Sequence, residues 1–229
     1  MLRYIISLVL VSTQFVSAQE QAPKTERYGL RLGLDLSKLI RASIEKDYQG
    51  LELTADYRIT RNLYLAGEIG AEKKRITSDV LDFKTSGSFL KLGIDINTYK
   101  NWAGMENQII VGFRFGASVH KQDLFGYTIN QKNHYWQENL DNMLSTPQTF
   151  EDLSGQWFEF LIGVKAELVH NLYMGISVRL NHLLNDEKPS NFDNLYIPGF
   201  NRVSDFGSWG VGLNYTIMYQ LPLYKKEVQ

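Results

Sequence analysis

Every-other spacing of apolar side chains near the C-terminus is the feature that most constrains what this chain can fold into. Seven apolar residues occupy alternate positions there: Trp209, Val211, Leu213, Tyr215, Ile217, Tyr219 and Leu221. Glycine and mostly polar residues fill the positions between them. Because successive side chains of a β-strand point to opposite faces, this segment predicts a strand with one apolar face and one polar face.

The same alternation recurs in seven earlier segments, and each predicts a strand. These segments are 28–36, 50–58, 63–72, 90–97, 109–120, 158–168 and 172–181. Shorter links at 59–62, 98–107 and 169–171 alternate with longer ones at 37–48, 73–83, 121–155 and 184–205. Short periplasmic turns and long extracellular loops are typical of outer-membrane barrels. The pattern therefore predicts an all-β fold, an eight-stranded antiparallel up-and-down transmembrane β-barrel.

The first eighteen residues read as a secretory signal peptide. Arg3 precedes an apolar run over 4–11, and Val16-Ser17-Ala18 forms a small-residue cleavage site. The run is much shorter than the about 20 residues that a membrane helix needs. We therefore expect a signal peptide at 1–18, a short periplasmic segment at 19–27, the barrel at 28–224 and a polar tail at 225–229. The chain has no cysteine, which excludes a lipid anchor on cysteine, a disulfide and a cysteine zinc site.

Alternation alone does not decide which face points inward, so a soluble barrel of lipocalin type stays an alternative. The apolar faces carry no charged residue, and the polar faces carry many glycines, which suit a narrow, filled lumen. Tyr57, Trp209 and Tyr219 lie toward the ends of apolar faces, as in an interfacial aromatic girdle. These observations favour the membrane barrel. A formal net charge of -1 gives no reason to expect a nucleic-acid partner.

The predicted lumen is rich in charge of both signs. An eight-stranded barrel is just wide enough inside for side chains, and an unpaired buried charge is costly. We therefore expect an ion-pair network that plugs the lumen and disfavours a small-solute channel. Its predicted members are Arg31, Asp35, Glu52, Asp56, Glu68, Lys91, Asp95, Arg114, Glu159, Lys165, Glu167 and Arg179.

An enzyme that modifies lipid A at the extracellular rim, a deacylase or an acyltransferase, is the alternative function. Ser118 and His120 share the lumen face near the end of the fifth strand, and His182 lies at the corresponding end of the seventh. A nucleophilic serine needs a histidine in contact and a third group that orients it. The order around Ser118 and His120 departs from the known deacylase motif, so we expect rim residues without catalysis. Scattered histidines without cysteine predict no metal site, and we expect no cofactor.

Two parts of the predicted extracellular side are candidates for contact. Lys73, Lys74 and Arg75 follow the third strand and could bind lipopolysaccharide phosphates, the alternative being a solvated hairpin tip. The links 121–155 and 184–205 are acidic, and we expect them to pack as a cap over the mouth. The first is aromatic, and Tyr135 and Trp136 are predicted either to contact an envelope protein or to pack within the loop. Lipid, lipopolysaccharide and another envelope protein are the expected partners.

Two short segments carry a resemblance to known proteins: Tyr28-Gly29-Leu30-Arg31 and Asn101-Trp102-Ala103-Gly104-Met105-Glu106-Asn107. The strand pattern makes the chain similar to the small eight-stranded outer-membrane barrels of OmpA and OmpX type. More narrowly, the two segments make it resemble an uncharacterised family of exported barrels of Gram-negative bacteria. The resemblance implies an outer-membrane location and supplies no activity. We therefore expect a structural or protein-interaction role.

Overall fold

The chain forms a ring of strands that closes on itself. The computed structural model describes residues 25–78, 81–99, 106–127, 143–189, 193–202 and 207–227. The elements in these ranges are β1 (Thr25–Asp35), α1 (Leu36–Ile44), β2 (Tyr48–Arg58), β3 (Leu63–Thr77), β4 (Leu81–Asn97), β5 (Gln108–Tyr127), β6 (Met143–Val169), β7 (Leu172–Asp186), β8 (Tyr196–Ile197), β9 (Asn201–Arg202) and β10 (Trp209–Glu227).

Eight antiparallel strands make up the barrel, in the order β1-β10-β7-β6-β5-β4-β3-β2. Among the described residues, the short strands β8 and β9 form a separate two-stranded sheet. Each barrel strand pairs with the next barrel strand along the chain, and β1 pairs with β10 to close the ring. This is the up-and-down topology that the alternation predicts. The predicted fold class is therefore confirmed.

Burial alternates along the strands, and the apolar side chains lie outside. Leu92, Ile162 and Val178 are each more than half exposed, whereas Glu52 and Glu159 are almost completely buried. This distribution is the inverse of that in a water-soluble barrel, because apolar atoms cover the outer wall and charges fill the centre. A continuous apolar wall of this kind is suited to lipid. Within the described ranges, no helix has the length and apolar character to cross a membrane.

Several strands run further than the sequence predicts. β5 continues to Tyr127 and β6 starts at Met143, so much of the predicted 121–155 loop is a paired hairpin. Inward Leu124 packs with Phe83 and Tyr196, which gives these extensions an apolar core. At the opposite end, residues 25–27 pair with 225–227. The barrel therefore takes in residues expected in the periplasmic segment and in the polar tail.

The prediction of a loop at 37–48 is wrong for the first part of that range, because these residues belong to the helix α1. Asp35 ends β1, and its carboxylate accepts a hydrogen bond from the Ser37 backbone N–H at 2.8 Å, as an N-cap does. Apolar Leu39, Ile40 and Ile44 recur at helical spacing and are exposed on the outer side, whereas Lys38 is buried. The helix thus has an apolar outer face.

In the extracellular half of the wall, α1 occupies the position that a strand would otherwise have. The pairing of β1 with β10 ends at Asp35 and Thr216, although β10 extends outward to Trp209. On its other side, β1 pairs with β2 only as far as Leu34 and Leu53. The helix contacts both β2 and β10, so it lies in the gap between them.

Candidate functional site

The middle of the lumen holds a continuous chain of ion pairs. Asp56 receives Arg31 Nε at 2.5 Å and Lys165 Nζ at 2.9 Å. The same Lys165 reaches Asp95 at 3.1 Å, and Asp95 also receives Arg114 Nη2 at 2.7 Å. All five side chains come from inward positions of five different strands. The structure therefore brings these predicted lumen residues together.

A second group of charges lies next to the first, toward the extracellular side. Arg179 donates to Glu68 and Glu159, and Lys91 lies 3.5 Å from Glu68 and 3.3 Å from Glu159. Arg114 Nε is 3.4 Å from Glu68 and links this group to the middle chain. Each carboxylate thus faces at least two cations, which offsets the cost of burying it.

Glu52 is the least satisfied member of the lumen. Its carboxylate is fully buried, and its nearest cations, Lys38 and Lys91, are both 3.7 Å away. Neither carboxylate oxygen has a hydrogen-bond partner. Lys38 instead makes its close contact with Glu72. The strand pattern does not predict Lys38 in the lumen, because this position falls in a predicted loop.

Two predicted members of the network behave differently from the rest. Asp35 contacts no cation among the ion pairs of the described residues; it caps α1 and accepts from Asn214. Its predicted role in an ion pair is therefore corrected, because the chain turns into a helix at this residue. Glu167 pairs with Arg27 at 2.7 Å near the periplasmic end, where Arg27 also meets Glu106.

The mouth of the barrel is filled by the segment that carries β8. Ile197 and Phe200 are buried against Phe89 and Trp157. Next to them, the Tyr196 hydroxyl donates to Glu72 at 2.7 Å. Burial, and then the Glu72 charge, raise the pKa of Tyr196 well above its usual range, so the hydroxyl keeps its proton. This segment, residues 193–202, is called the mouth segment below.

The predicted rim residues form a buried hydrogen-bonded group. Ser118 Oγ lies 3.4 Å from His120 Nδ1, and His120 Nε2 lies 3.3 Å from Asn194 Oδ1. Ser118 and His120 are 3% and 4% exposed, and neither lines the two cavities described in this barrel. The contacts therefore tie the mouth segment to the wall.

His182 does not join this group. It pairs across the ladder with Trp209, and the two rings are 4.5 Å apart. Trp209 is 58% exposed on the outer wall, so His182 faces the same side. The strand alternation thus places His182 on the opposite face of the wall from Ser118 and His120.

The three predicted cations at 73–75 lie within β3 rather than at a hairpin tip. Lys73 and Arg75 are exposed, and Arg75 forms a two-pronged ion pair with Asp82 at 2.8–3.0 Å. Lys74 faces inward and contacts Glu45. Alternation therefore separates Lys74 from the other two. Tyr135 and Trp136, the predicted partner contacts, lie outside the described residues.

The part of the chain that the structure describes contains no group of three or more His, Asp or Glu side chains placed to hold a metal ion. The charges of the lumen are instead matched with each other. The geometry thus presents a paired ionic interior, an apolar outer wall and a mouth filled by its own segment.

Comparison with known proteins places the chain in a family without giving it an activity. The family described as Domain of unknown function (DUF6048) matches residues 1–226. No curated protein matches the chain. The predicted resemblance to an uncharacterised barrel family is confirmed.

Three solved structures of membrane proteins are distantly similar. The Ail attachment invasion locus protein of Yersinia pestis has a TM-score of 0.41 and 8% identity, covering 90% of this chain and 100% of that one. CarO2 of Acinetobacter baumannii has a TM-score of 0.41 and 11% identity, over 86% and 99%. A major outer membrane protein of Thermus thermophilus has a TM-score of 0.34 and 14% identity, over 85% and 98%. Likeness at this level carries no functional conclusion.

Proposed function

The chain belongs to the DUF6048 family of domains of unknown function, and we propose that it is a non-enzymatic outer-membrane barrel of a Gram-negative bacterium. Its role is structural or is an interaction with another envelope protein, and its lumen does not conduct solutes. The observation that carries the proposal is the reversal of inside and outside, with apolar residues on the wall and paired charges in the centre.

The outer-membrane location is supported by the wall itself. Outward residues of the barrel strands are large and apolar, as at Leu65, Phe113 and Val164, each at least half exposed. Closed barrels satisfy their backbone hydrogen bonds between strands, which lets strands cross lipid. An export signal at 1–18 fits the same destination. We expect the protein in the outer-membrane fraction and, in SDS without boiling, a migration that changes on heating.

A closed lumen is supported by ion pairs that reach across it. Arg179 on β7 meets Glu68 on β3, and Lys165 on β6 meets Asp56 on β2. Both pairs join strands that lie opposite each other in the ring. The mouth segment adds an apolar layer of Ile197 and Phe200 above them. Ions and solutes would have to break several buried ion pairs to pass.

Channel activity is tested by planar-bilayer recording. The purified protein is expected to give no discrete conductance steps. A second protein, the double variant Glu68→Ala with Arg179→Ala, lacks one of the ion pairs that cross the lumen and tests whether these pairs block the path. Regular steps from the wild-type protein would contradict the closed lumen. The double variant must first show the heat-dependent gel shift of a folded barrel.

Protein interaction is tested through the hairpin that joins β5 and β6. Replacing residues 128–142, which include Tyr135 and Trp136, with a short Gly-Ser linker leaves both strands in place. We expect the variant to fold and to lose co-purifying envelope proteins that the wild type retains after cross-linking in cells. Equal recovery from both proteins would move the contact to another surface.

A further inference from the structure

A cavity of about 490 Å³ lies in the outer half of the barrel, beside α1. Its lining includes Lys38 of the helix, Arg179 and Asn181 of β7, and the stretch 211–214 of β10. Tyr196 and Gly199 of the mouth segment also line it. The cavity therefore borders the helix, the ionic lumen and the mouth segment at once.

The cavity lies at a gap in the wall of the barrel. Val211 and Leu213 face outward and are 71% and 66% exposed, whereas Asn214 faces inward and is buried, yet all three line the cavity. A space that touches successive residues of one strand, whichever face their side chains take, lies at the edge of that strand. β10 has such an edge here, because its pairing with β1 ends at Thr216.

The backbone at this edge points into the opening. The Tyr215 N–H reaches Asp35 at 3.4 Å on the β1 side, so the N–H and C=O groups of Leu213 and Val211 point to that side too. No strand pairs with β10 there among the described residues. An unpaired strand edge facing hydrocarbon is unfavourable, so polar groups are expected to cover it.

Two residues of the lining each carry a buried polar atom that lacks a partner. Arg179 Nε is a donor and Asn181 Oδ1 is an acceptor, and neither has a hydrogen bond. The two side chains are 4% and 2% exposed. Leaving such a group unsatisfied costs about 1–3 kcal/mol, so a bound molecule that supplies both an acceptor and a donor would be favoured.

Cations dominate the lining. Lys38, Arg41, Lys74, Lys91 and Arg179 line the cavity, against the single carboxylate of Glu159. The carboxylates that pair with these cations, Glu45, Glu52, Glu68 and Glu72, do not line it. The cavity surface thus presents N–H donors suited to an anionic group with several oxygens, such as a phosphate.

We propose that the cavity binds the phosphorylated headgroup of an outer-leaflet amphiphile, which enters sideways between α1 and β10. The phosphate oxygens accept from Arg179 Nε and Lys38, a headgroup hydroxyl donates to Asn181 Oδ1, and the acyl chain lies along Val211 and Leu213. The lateral opening selects an amphiphile over free phosphate, because the mouth segment lies over the other route. This binding site rests on the proposed outer-membrane location, and it goes beyond the proposed structural role.

Native mass spectrometry of the folded protein in octyl glucoside tests the ligand class with three probes. Lysophosphatidylglycerol has a phosphate, hydroxyl groups and an acyl chain; inorganic phosphate lacks the chain; and monodecanoyl glycerol lacks the phosphate. We expect one lysophosphatidylglycerol per barrel, held at least about tenfold more tightly than either other probe. Equal retention of monodecanoyl glycerol would overturn the anionic site, and equal binding of phosphate would overturn the sideways entry.

Two variants test the location. A Cβ at Gly212 would lie 3.7 Å from Arg179 Cβ and 3.9 Å from Asn214 Oδ1, so Gly212→Leu has room at its base and fills the cavity. Asn181→Leu removes the unpartnered acceptor and keeps the branching and the number of side-chain heavy atoms. Each is expected to weaken lysophosphatidylglycerol binding by about tenfold or more.

Gly67→Leu is the matched control, because Gly67 lies on β3 and does not line the cavity. Its Cβ would meet the flexible end of Leu92 at 3.2 Å and the Lys91 carbonyl oxygen at an ordinary contact distance of 3.8 Å. It is expected to bind as the wild type does. All variants must keep the heat-dependent gel shift. Should Gly212→Leu fail to fold, Asn181→Leu decides the question alone. Wild-type binding by the folded cavity variants would overturn the site.

Discussion

Arg179 and Glu68 join opposite walls of the barrel through two hydrogen bonds, Nη1 to Oε2 at 2.5 Å and Nη2 to Oε1 at 2.9 Å. Their strands, β7 and β3, are four positions apart in a ring of eight. The planar guanidinium and the carboxylate thus meet in the two-pronged geometry that suits them best. Arg179 also donates to Glu159 at 2.9 Å, so it holds two carboxylates in the centre of the lumen.

Arg179→Leu is expected to lower the free energy of unfolding by about 3–5 kcal/mol, because it leaves buried carboxylates short of counter-charge. Urea unfolding in lipid vesicles, followed by tryptophan fluorescence, measures the change. The double variant Arg179→Leu with Glu68→Leu removes one charge of each sign and should lose less than the single one. A loss in the double variant that equals or exceeds that of Arg179→Leu would show that an unpaired Glu68 is not the cause of the loss.

Val178→Arg tests the direction of the wall. Val178 is 54% exposed on the outer face of β7, and a charge at mid-membrane on that face costs about 2–4 kcal/mol. Assembly into vesicles, measured by the gel shift, should fall. The neighbour Ser177 faces inward, and Ser177→Ala is expected to have a small effect. Similar losses for the two variants would mean that inside and outside are exchanged.

The period-2 pattern was sufficient to predict the barrel and the direction of its faces. The same pattern also predicted which charged side chains face the lumen, because residues such as Asp56, Asp95 and Lys165 occupy the polar face of their strands. Which cation meets which carboxylate did not follow. Those contacts join strands on opposite sides of the ring, and their geometry depends on barrel closure and not on neighbours in the sequence.

α1 was missed although its signal lay in the sequence. Leu36, Leu39, Ile40 and Ile44 repeat at helical spacing directly after Asp35, a favourable N-cap residue. The helical spacing was not interpreted as a helix, because this region lies between two predicted strands and was expected to be a loop. The hairpin extensions beyond 121 were missed for another reason, since their inward residues include apolar Leu124, which reverses the polar-inside rule above the ionic layers.

Phe200→Ala is expected to loosen the mouth segment and to leave the barrel folded. Phe200 packs with Trp157 at 6.0 Å between ring centroids and with Phe89, and removing such a buried ring costs about 3–5 kcal/mol. Limited proteolysis with mass spectrometry should detect new cuts within 187–208. Tyr196→Phe, which loses only the hydrogen bond to Glu72, should give fewer cuts. Wild-type resistance in Phe200→Ala would mean that other contacts hold the segment.

Lys73 and Arg75 are expected to contact lipopolysaccharide phosphates, because both are exposed on the outer face of β3 near its extracellular end. Lys73→Ser with Arg75→Ser should lower the lipopolysaccharide that co-purifies with the barrel, quantified by mass spectrometry of its lipid A.

Arg75 also pairs with Asp82, so Asp82→Asn is included to separate loss of that ion pair from loss of the contact. Arg61→Ser is the matched control, because Arg61 is an exposed cation in the turn between β2 and β3, at the opposite end of β3. Alternation along the strand places both Lys73 and Arg75 on the outward face. An equal decrease in Arg61→Ser would point to general destabilisation of the barrel, and unchanged lipopolysaccharide in the outward pair would remove these residues from the contact.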